Sequence, residues 1–457
     1  MPAQSDILNR IPRFKDAWLP FYRSILENSH APRWNAQCGD RLIEKDIPAL
    51  NDFVTSLGRT ENGHWSDEQQ DRWRRKFSLL SPWIRSALET SAPTMMQRED
   101  LRLRMHEIVP LNADLNRLVL NPTSGTTGMP VEVPNDPVGV ATYQPLILEA
   151  LGRHGVSLDL QGKMAAVQIC SQRDTMTYGT VHSFYEGAGF AKINIPPGGE
   201  ESILRHWRHT DDIRAFLEST SPRFLTGDPF AFRIMMDYAI QYRPAAVLST
   251  AATLSDDLRA AMAEYFQCPV VDFYSSNETG PVACSCPQHP DRFHFLSADI
   301  HCEVLDESGN RTDGEGNLVI TGGRNPMLPL YRYNTGDTVR LIRQACSCGQ
   351  HTFIEGLRGR PMVQFYGRKG KVNPLDFARL LRLVPMRRHR LLQRKDHSVD
   401  CYVDPGDFSL EAHSEFILRN SREILDGLEV RLHPWQSGDA AFAGFASPAF
   451  PYQSEIE

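Results

Sequence analysis

Hydrophobic positions along this chain change their pattern three times. Up to Leu118, Trp, Leu and Ile recur at three- and four-residue spacings through Phe14–Leu26 and Trp73–Leu88, with prolines interrupting the runs. This is the spacing of amphipathic packing helices. From Leu118 the texture is mixed: Leu118-Val119-Leu120 reads as a short strand entering a Gly/Ser/Thr turn, and the apolar runs Met164–Ile169 and Val270–Tyr274 alternate with helical patterns such as Asp257–Phe266. Such alternation predicts α/β layers. Between Ile300 and Leu341 the runs Glu303-Val304-Leu305, Asn317–Ile320 and Thr338–Ile342 predict short strands separated by Asp, Gly and Asn turns, hence a small β-rich subdomain. Beyond Arg360 a separate strand-and-helix pattern, ending in the Ala/Phe/Pro-rich stretch Ala440–Tyr452, predicts a second domain.

Length supports that division, because 457 residues exceed what one hydrophobic core usually organises. Charged residues make up 23% and hydrophobic ones 41%, with a net charge of −7. This is ordinary globular composition, and it argues against a nucleic-acid partner. Met1–Arg13 is polar and charged where a signal peptide needs an apolar core, and no apolar run of about 18 residues occurs. A cytoplasmic protein with no membrane partner is expected. Nine cysteines include two Cys-x-Cys pairs, Cys284/Cys286 and Cys346/Cys348, which in a reducing compartment suggest metal before disulfide.

The chemistry begins at Thr123-Ser124-Gly125-Thr126-Thr127-Gly128-Met129-Pro130, which follows a strand. Its glycines let backbone approach a ligand, and its hydroxyls and N–H groups can ring phosphate oxygens. An ordinary Ser/Thr/Gly surface loop is the bland alternative, and the Gly-Lys-[Ser/Thr] ending of a Walker loop is absent. The octet closely resembles the phosphate loop of the adenylate-forming enzymes, above all phenylacetate–CoA ligases and their relatives. Three further matches follow in that family's order. Thr250-Ala251-Ala252-Thr253-Leu254-Ser255 resembles the segment lining the adenine site, with Ala252 where the family has an acidic residue. Asp272-Phe273-Tyr274-Ser275-Ser276-Asn277-Glu278-Thr279-Gly280-Pro281 resembles Tyr-Gly-x-[Ser/Thr]-Glu-x-Gly-Pro. Tyr331-Arg332-Tyr333-Asn334-Thr335-Gly336-Asp337 resembles Tyr-Arg-x-x-Thr-Gly-Asp.

The resemblance implies a large N-terminal α/β domain, residues 1–360, with the ATP, Mg²⁺ and acyl sites, and a small mobile α+β lid domain, 361–457. It implies ATP contacts for Ser124, Gly125, Thr126, Thr127, Gly128, Thr250, Ala251, Tyr274 and Ser275. Tyr274 would lie against adenine, and Asp337 would accept from both ribose hydroxyls. Glu278, catalytic together with Thr126 and Arg360, would hold the Mg²⁺ that bridges ATP phosphates, since a hard cation wants carboxylate oxygen. Tyr178, Phe184, Tyr185 and Gly187 resemble the lining of the family's acyl pocket, and core packing explains those aromatics equally well. As pocket lining they favour an aromatic or other planar carboxylic acid as the small-molecule partner.

Some relatives carry a Cys-x-Cys-Gly hairpin opposite a Cys…His segment. Here Cys346-Ser347-Cys348-Gly349 matches the hairpin and Cys286 with His294 the other half, implying a structural Zn²⁺; Cys284 and His289 stand as replacement ligands, and free thiols as the alternative. The chain departs from the family in two places. Its hinge reads Gly359-Arg360-Pro361-Met362, without the hinge aspartate, and no lysine follows Lys395 where a catalytic lysine is usual. Three explanations compete: Lys369 or Lys371 as the substitute, tail arginines in that role, or a half-reaction weakened or lost. The phosphate loop also has Met129 where many relatives place lysine. Three outcomes stay open: acyl transfer to CoA, transfer to an amine or a carrier protein, and nucleotide binding without turnover. A homodimer is open too.

Overall fold

The computed structural model describes residues 4–57, 63–90, 94–123, 131–171, 179–185, 187–196, 200–359, 365–372, 376–377, 380–381, 383–384, 386, 388–406, 409–435 and 444–446. Cα packing divides the chain into two units. The first comprises Met1–Asn121, Val133–Ser171 and Thr177–Gly359; the second comprises Pro122–Glu132, Gln172–Met176 and Arg360–Glu457. The main division therefore falls at Gly359/Arg360, and two short upstream segments group with the later one.

In chain order the strands up to residue 359 are β1 Val119–Pro122, β2 Glu132–Asn135, β3 Met164–Cys170, β4 Thr180–Tyr185, β5 Ala188–Asn194, β6 Phe224–Gly227, β7 Ala246–Thr250 and β8 Val270–Ser276. They continue as β9 Gly280–Ser285, β10 Arg292–Phe295, β11 Ile300–Leu305, β12 Glu315–Gly322, β13 Leu330–Arg343 and β14 Thr352–Arg358. Among the described residues, β3 to β14 form one sheet in the order β11-β12-β13-β14-β10-β9-β8-β7-β6-β3-β5-β4. The run β5-β3-β6-β7-β8 is parallel, and everything from β9 to β14 is antiparallel. The β-rich stretch expected from Ile300 onward is thus hydrogen-bonded into the main sheet. Period-two patterning marks a strand but carries no information on which sheet it joins.

The parallel strands are buried on both faces, as their nearly continuous apolar runs require. Val167, Leu225 and Val247 belong to one core, with Ile213, Phe216 and Phe266; the alternate residues Ala166, Phe224, Ala246 and Leu248 belong to another, with Leu146 and Ala150. The helical run expected over Trp73–Leu88 is two helices, Asp67–Leu80 and Pro82–Glu89, because Pro82 cannot donate within a continuing helix and Ser81 caps the second. No described helix is long and apolar enough to cross a membrane.

The second unit has strands β15 Phe365–Gly367, β16 Gly370–Val372, β17 Arg388–Gln393, β18 Val399–Asp404, β19 Val430–Pro434 and β20 Gly444–Ala446. Four of them form a sheet in the order β19-β18-β17-β20. Helix Leu410–Ile424 joins its core through Ile417, which packs with Leu391, Val399, Phe365 and Phe377.

Candidate active site and metal cluster

Three of the four sequence motifs converge at one end of the central strands. Thr250 closes β7, and its hydroxyl donates to the Phe273 carbonyl at 3.1 Å and pairs with Ser275 Oγ at 2.9 Å. Ala251, the next residue, has φ of 71°, a conformation costly for any residue with a Cβ and a mark of functional turns. The Tyr274 hydroxyl donates to Asp337 Oδ2 at 2.6 Å. Burial, together with the Asp337 charge, holds that phenol well above its ordinary pKa, so it stays a donor.

Asp337 reaches this position through an irregularity in β13. Asn317 pairs with Thr338 but Val319 pairs with Asn334, so Thr335, Gly336 and Asp337 bulge from the strand. Gly336 takes φ of 78°, Thr335 Oγ1 accepts the Asp337 N–H at 3.1 Å, and that hydroxyl donates to the Leu318 carbonyl at 3.0 Å. The Thr-Gly-Asp turn therefore lies inside a strand and not between two.

Glu278 is 5% exposed, and its Oε1 accepts from Arg98 Nη1 at 2.6 Å and from the Tyr333 hydroxyl at 3.2 Å. The turn that presents it depends on Gly280, at φ of 66°, where a Cβ would come 2.8 Å from the Tyr143 ring. Arg324 braces the following residues: its guanidinium pairs with Asp299 at 3.0 and 3.1 Å and donates to the Pro281 carbonyl at 2.6 Å. Arg98, Tyr143 and Arg324 carry no motif in the sequence. Arg98 lies 180 positions from Glu278, and only the fold reveals the pairing. Tyr333 was within a recognised motif, although at a position to which the motif assigns no role.

Of the phosphate loop, Ser124, Gly125, Thr126, Thr127 and Gly128 lie outside the described residues, as does Arg360. The loop's borders are described: the Thr123 N–H donates to the Val131 carbonyl at 2.9 Å, and the Val131 N–H returns a bond to Thr123 Oγ1 at 2.8 Å. Tyr178 and the Tyr185 side chain are likewise outside. Phe184 packs against Phe14, Trp18, Phe21 and Tyr22 with ring centroids 5.4–5.9 Å apart, and is 2% exposed. Core packing accounts for this aromatic, and the structure does not bring it to Tyr274 or Asp337. Gly187 is buried with φ of 82°, and a Cβ there would sit 3.1 Å from the Trp18 indole nitrogen. Lys369 is exposed in the turn between β15 and β16, and the Lys371 side chain is outside the described residues.

The second cluster gathers Cys286, His294, Cys346 and Cys348, whose ligand atoms all lie within 4.8 Å of one another. Cys286 follows β9, His294 lies in β10, and both hairpin cysteines sit between β13 and β14. Cys286 Sγ and Cys346 Sγ are 3.9 Å apart, far beyond a disulfide and close to the edge of roughly 3.8 Å that follows from Zn–S bonds of about 2.3 Å in a tetrahedron. His294 Nδ1 faces the Thr352 carbonyl at 3.1 Å, which fixes its proton there and turns the Nε2 lone pair toward Cys348 Sγ, 3.2 Å away. Burial opposes ionisation of Cys346, but bonds from Cys348, Arg292 and Cys286 bring its thiol down to about 7. The donor set fits Zn²⁺. Cys284 instead packs in the core with Leu146 and Phe273, where burial pushes its thiol up to about 12, and His289 bonds Ser347 Oγ at 2.9 Å.

A cavity of about 520 Å³, lined by Trp65, His301, Glu303, Arg311 and Arg343 among others, contains none of the motif residues.

No family model matches the chain. Protein CapK of Staphylococcus aureus is 29% identical over 111 residues, which span 24% of this chain and 23% of that protein. Among solved structures, 2-hydroxyisobutyryl-CoA ligase in complex with 2-HIB-AMP and CoA is 14% identical at a TM-score of 0.47, covering 89% of this chain and 90% of that one. Anthranilate CoA ligase AuaEII in complex with anthranoyl-AMP is 13% identical at a TM-score of 0.37, covering 71% and 65%. An acyl-CoA synthetase of Brucella canis is 18% identical at 0.35, covering 68% and 60%. All three scores lie below 0.5.

Proposed function

We propose that this chain is an adenylate-forming ligase, which condenses a carboxylic acid with ATP to an acyl-adenylate and pyrophosphate and then passes the acyl group to CoA. The observation that carries this reading is the convergence of three motifs, joined through Thr250–Ser275, Tyr274–Asp337 and Tyr333–Glu278 bonds of 2.9, 2.6 and 3.2 Å. Residues from separate motifs thus form one polar surface at the ends of β7 and β8 and the bulge of β13.

In this reading Asp337 offers two carboxylate oxygens to the two ribose hydroxyls, and Tyr274 keeps that carboxylate oriented. The substrate carboxylate is itself the nucleophile at the α-phosphate, so no protein triad is needed. The enzyme's work is to hold the reacting groups in line. Glu278, a buried carboxylate at the mouth of the Gly280 turn, is chemically suited to Mg²⁺, which when bound with ATP neutralises phosphate charge. Ser124–Gly128 would cradle the phosphates, with Thr126 among them, and Arg360 would act from the hinge. The acid is proposed as aromatic or otherwise planar on the strength of Tyr178 and Tyr185 beside Gly187. Phe184 no longer contributes to that inference. Zn²⁺ on Cys286, His294, Cys346 and Cys348 would be structural, since four protein ligands leave no position for water.

Pyrophosphate release measured across a panel of aromatic and aliphatic acids, with and without CoA, tests the reading. ATP binding with no pyrophosphate from any acid would sink it. A second reading, transfer to an amine or a carrier-protein thiol, draws on Pro361 in place of the hinge aspartate and on the absence of lysine after Lys395. Acyl-adenylate that accumulates without consuming CoA would favour it.

A further inference from the structure

The cavity of about 520 Å³ lies wholly within the first unit, walled by the segment 64–70, strand β11, the turn that follows it and the end of β13. His301, 3% exposed, lines it from β11. The Trp65 N–H donates to His301 Nδ1 at 3.1 Å, which puts the proton of the neutral ring on Nε2. That atom is buried and has no hydrogen-bond partner. Burial brings the imidazole down to about 4 against the pull of Glu303, with His64, Arg311 and Arg343 adding to the fall, so the ring is neutral and Nε2 is a donor. Two guanidiniums share the wall. Arg311 Nε is committed to Glu303 at 2.7 Å, and the same carboxylate takes a second contact, at 3.5 Å, from Arg332 Nε. Arg343, the last residue of β13, is exposed and has no hydrogen bond or ion pair among the described residues. Helix Asp67–Leu80 also begins at the cavity, with Asp67 and Gln70 on its wall, and a helix leaves its first N–H groups without internal acceptors.

We propose that this cavity binds a small monocarboxylic acid, away from the motif residues, with the carboxylate shared between the His301 Nε2–H and the Arg343 guanidinium. Nothing in it requires the adenylate-forming reading. A buried N–H without an acceptor is rare in folded proteins and points to a partner that completes the bond. A water molecule would serve His301 alone. An oxyanion serves His301, the planar fork of Arg343 and the positive end of the helix together. Two features choose carboxylate over phosphate. Asp67 and Asp313 stand on the same wall, and their charges penalise a dianion more than a monoanion. Trp65, Val304 and Leu341, none more than 9% exposed, offer the rest of such an acid an apolar surface.

Acetate, benzoate, benzamide and inorganic phosphate are titrated calorimetrically into the full-length protein and its Arg343→Met, Arg343→Lys and His301→Phe variants, with melting curves as a folding control. Benzoate should bind more tightly than phosphate, and about tenfold or more tightly than benzamide, which keeps the shape and lacks the charge. Arg343→Met should weaken benzoate about tenfold or more, and Arg343→Lys less, since lysine keeps the charge but not the fork. His301→Phe should weaken it as well, through loss of the Nε2 donor. An acid held at the acyl site would be indifferent to Arg343, so these variants isolate the cavity, and pyrophosphate release should stay within about twofold of the unaltered chain in Arg343→Met. If His301→Phe does not fold, the two Arg343 variants carry the test. No binding of acetate or benzoate, tighter binding of phosphate, or benzoate affinity unchanged in folded Arg343→Met overturns the proposal and leaves the adenylate reading intact.

Discussion

Strand β9 has Glu278 two residues before its first residue and Cys286 just after its last, and its two ends are surrounded very differently. At the Glu278 end the described contacts on the two carboxylates include ones that a ligand can replace: a guanidinium and a phenol on one Glu278 oxygen, and a phenol on Asp337. At the Cys286 end the four donor atoms lie within 4.8 Å of one another, the Thr352 carbonyl orients His294, and Arg292 helps lower the Cys346 thiol pKa. On the proposed reading, one strand would join a surface for ligand exchange to a cluster for a structural metal. The lesson is that carboxylates with loosely shared partners mark turnover, whereas thiolates with no spare coordination mark architecture.

The comparison breaks first if the permanent end turns out to be dispensable. Cys346→Ser with Cys348→Ser should abolish zinc in elemental analysis and cost on the order of 3 kcal/mol, because metal-binding free energy is folding free energy here. On the usual scale that lowers the melting temperature by about 5 °C or more. Cys286→Ser should lose zinc and Cys284→Ser should keep it; an unaltered chain purified without chelator that contains no zinc would refute the cluster's role. At the exchange end the effect should appear in turnover and not in folding. Glu278→Gln is expected to cut pyrophosphate release about 100-fold or more, as removal of one preorganised charge contact does, and Asp337→Ala similarly by misplacing the α-phosphate. Two folded variants with near-normal rates would show the site to be misassigned.

A finer comparison asks how much of the exchange end is orientation. Tyr274→Phe leaves the ring and removes only the hydrogen bond to Asp337, so the KM for ATP should rise about tenfold with kcat little changed. A variant indistinguishable from the unaltered chain would mean that Asp337 needs no brace.

How legible this was depends on where each interaction lies in the chain. Glu278, Tyr274 and Asp337 could be named in advance because each sits in a short motif whose residue types suit one chemistry, and the fold brings Tyr274 and Asp337 within a hydrogen bond. The cysteines could be picked out by spacing, although Cys284 and Cys286 are equally buried and only their neighbours separate them: Cys284 packs with Leu146 and Phe273, while Cys286 Sγ lies 3.9 Å from Cys346 Sγ. Phe184 was ambiguous because an aromatic beside glycines looks the same in a pocket and in a core; its ring neighbours come from residues 14 to 22, a contact that no local pattern announces. Arg98 was invisible for the same reason at greater range. The bulge of β13 was hidden because Asn-Thr-Gly-Asp is turn chemistry whether the chain reverses or merely kinks.

The smallest effect concerns a charge near the exchange end that has no ligand to meet. Asp272 stands two residues before Tyr274 on β8, is 7% exposed, and pairs with Arg259 at 3.3 Å. Burial pushes its carboxyl up to about 6, with the Arg259 charge opposing. A carboxyl whose folded pKa lies above its unfolded value of about 3.8 favours folding in its protonated form; its contribution is fully present below about 3.8 and is lost as pH rises through about 6. Asp272→Asn cannot ionise and so lacks this dependence. The unaltered protein should therefore gain about 1 kcal/mol relative to Asp272→Asn when denaturant melts at pH 5 are compared with those at pH 7. Using the difference between the two proteins cancels the acid response of every other carboxylate. A gain of that size would make Asp272 a charge held against its own preference, unlike Glu278, for which a cation always stands ready. A difference that is flat or of opposite sign would instead make Asp272–Arg259 a stabilising pair, and the contrast between exchange and permanence would then need a third kind of site.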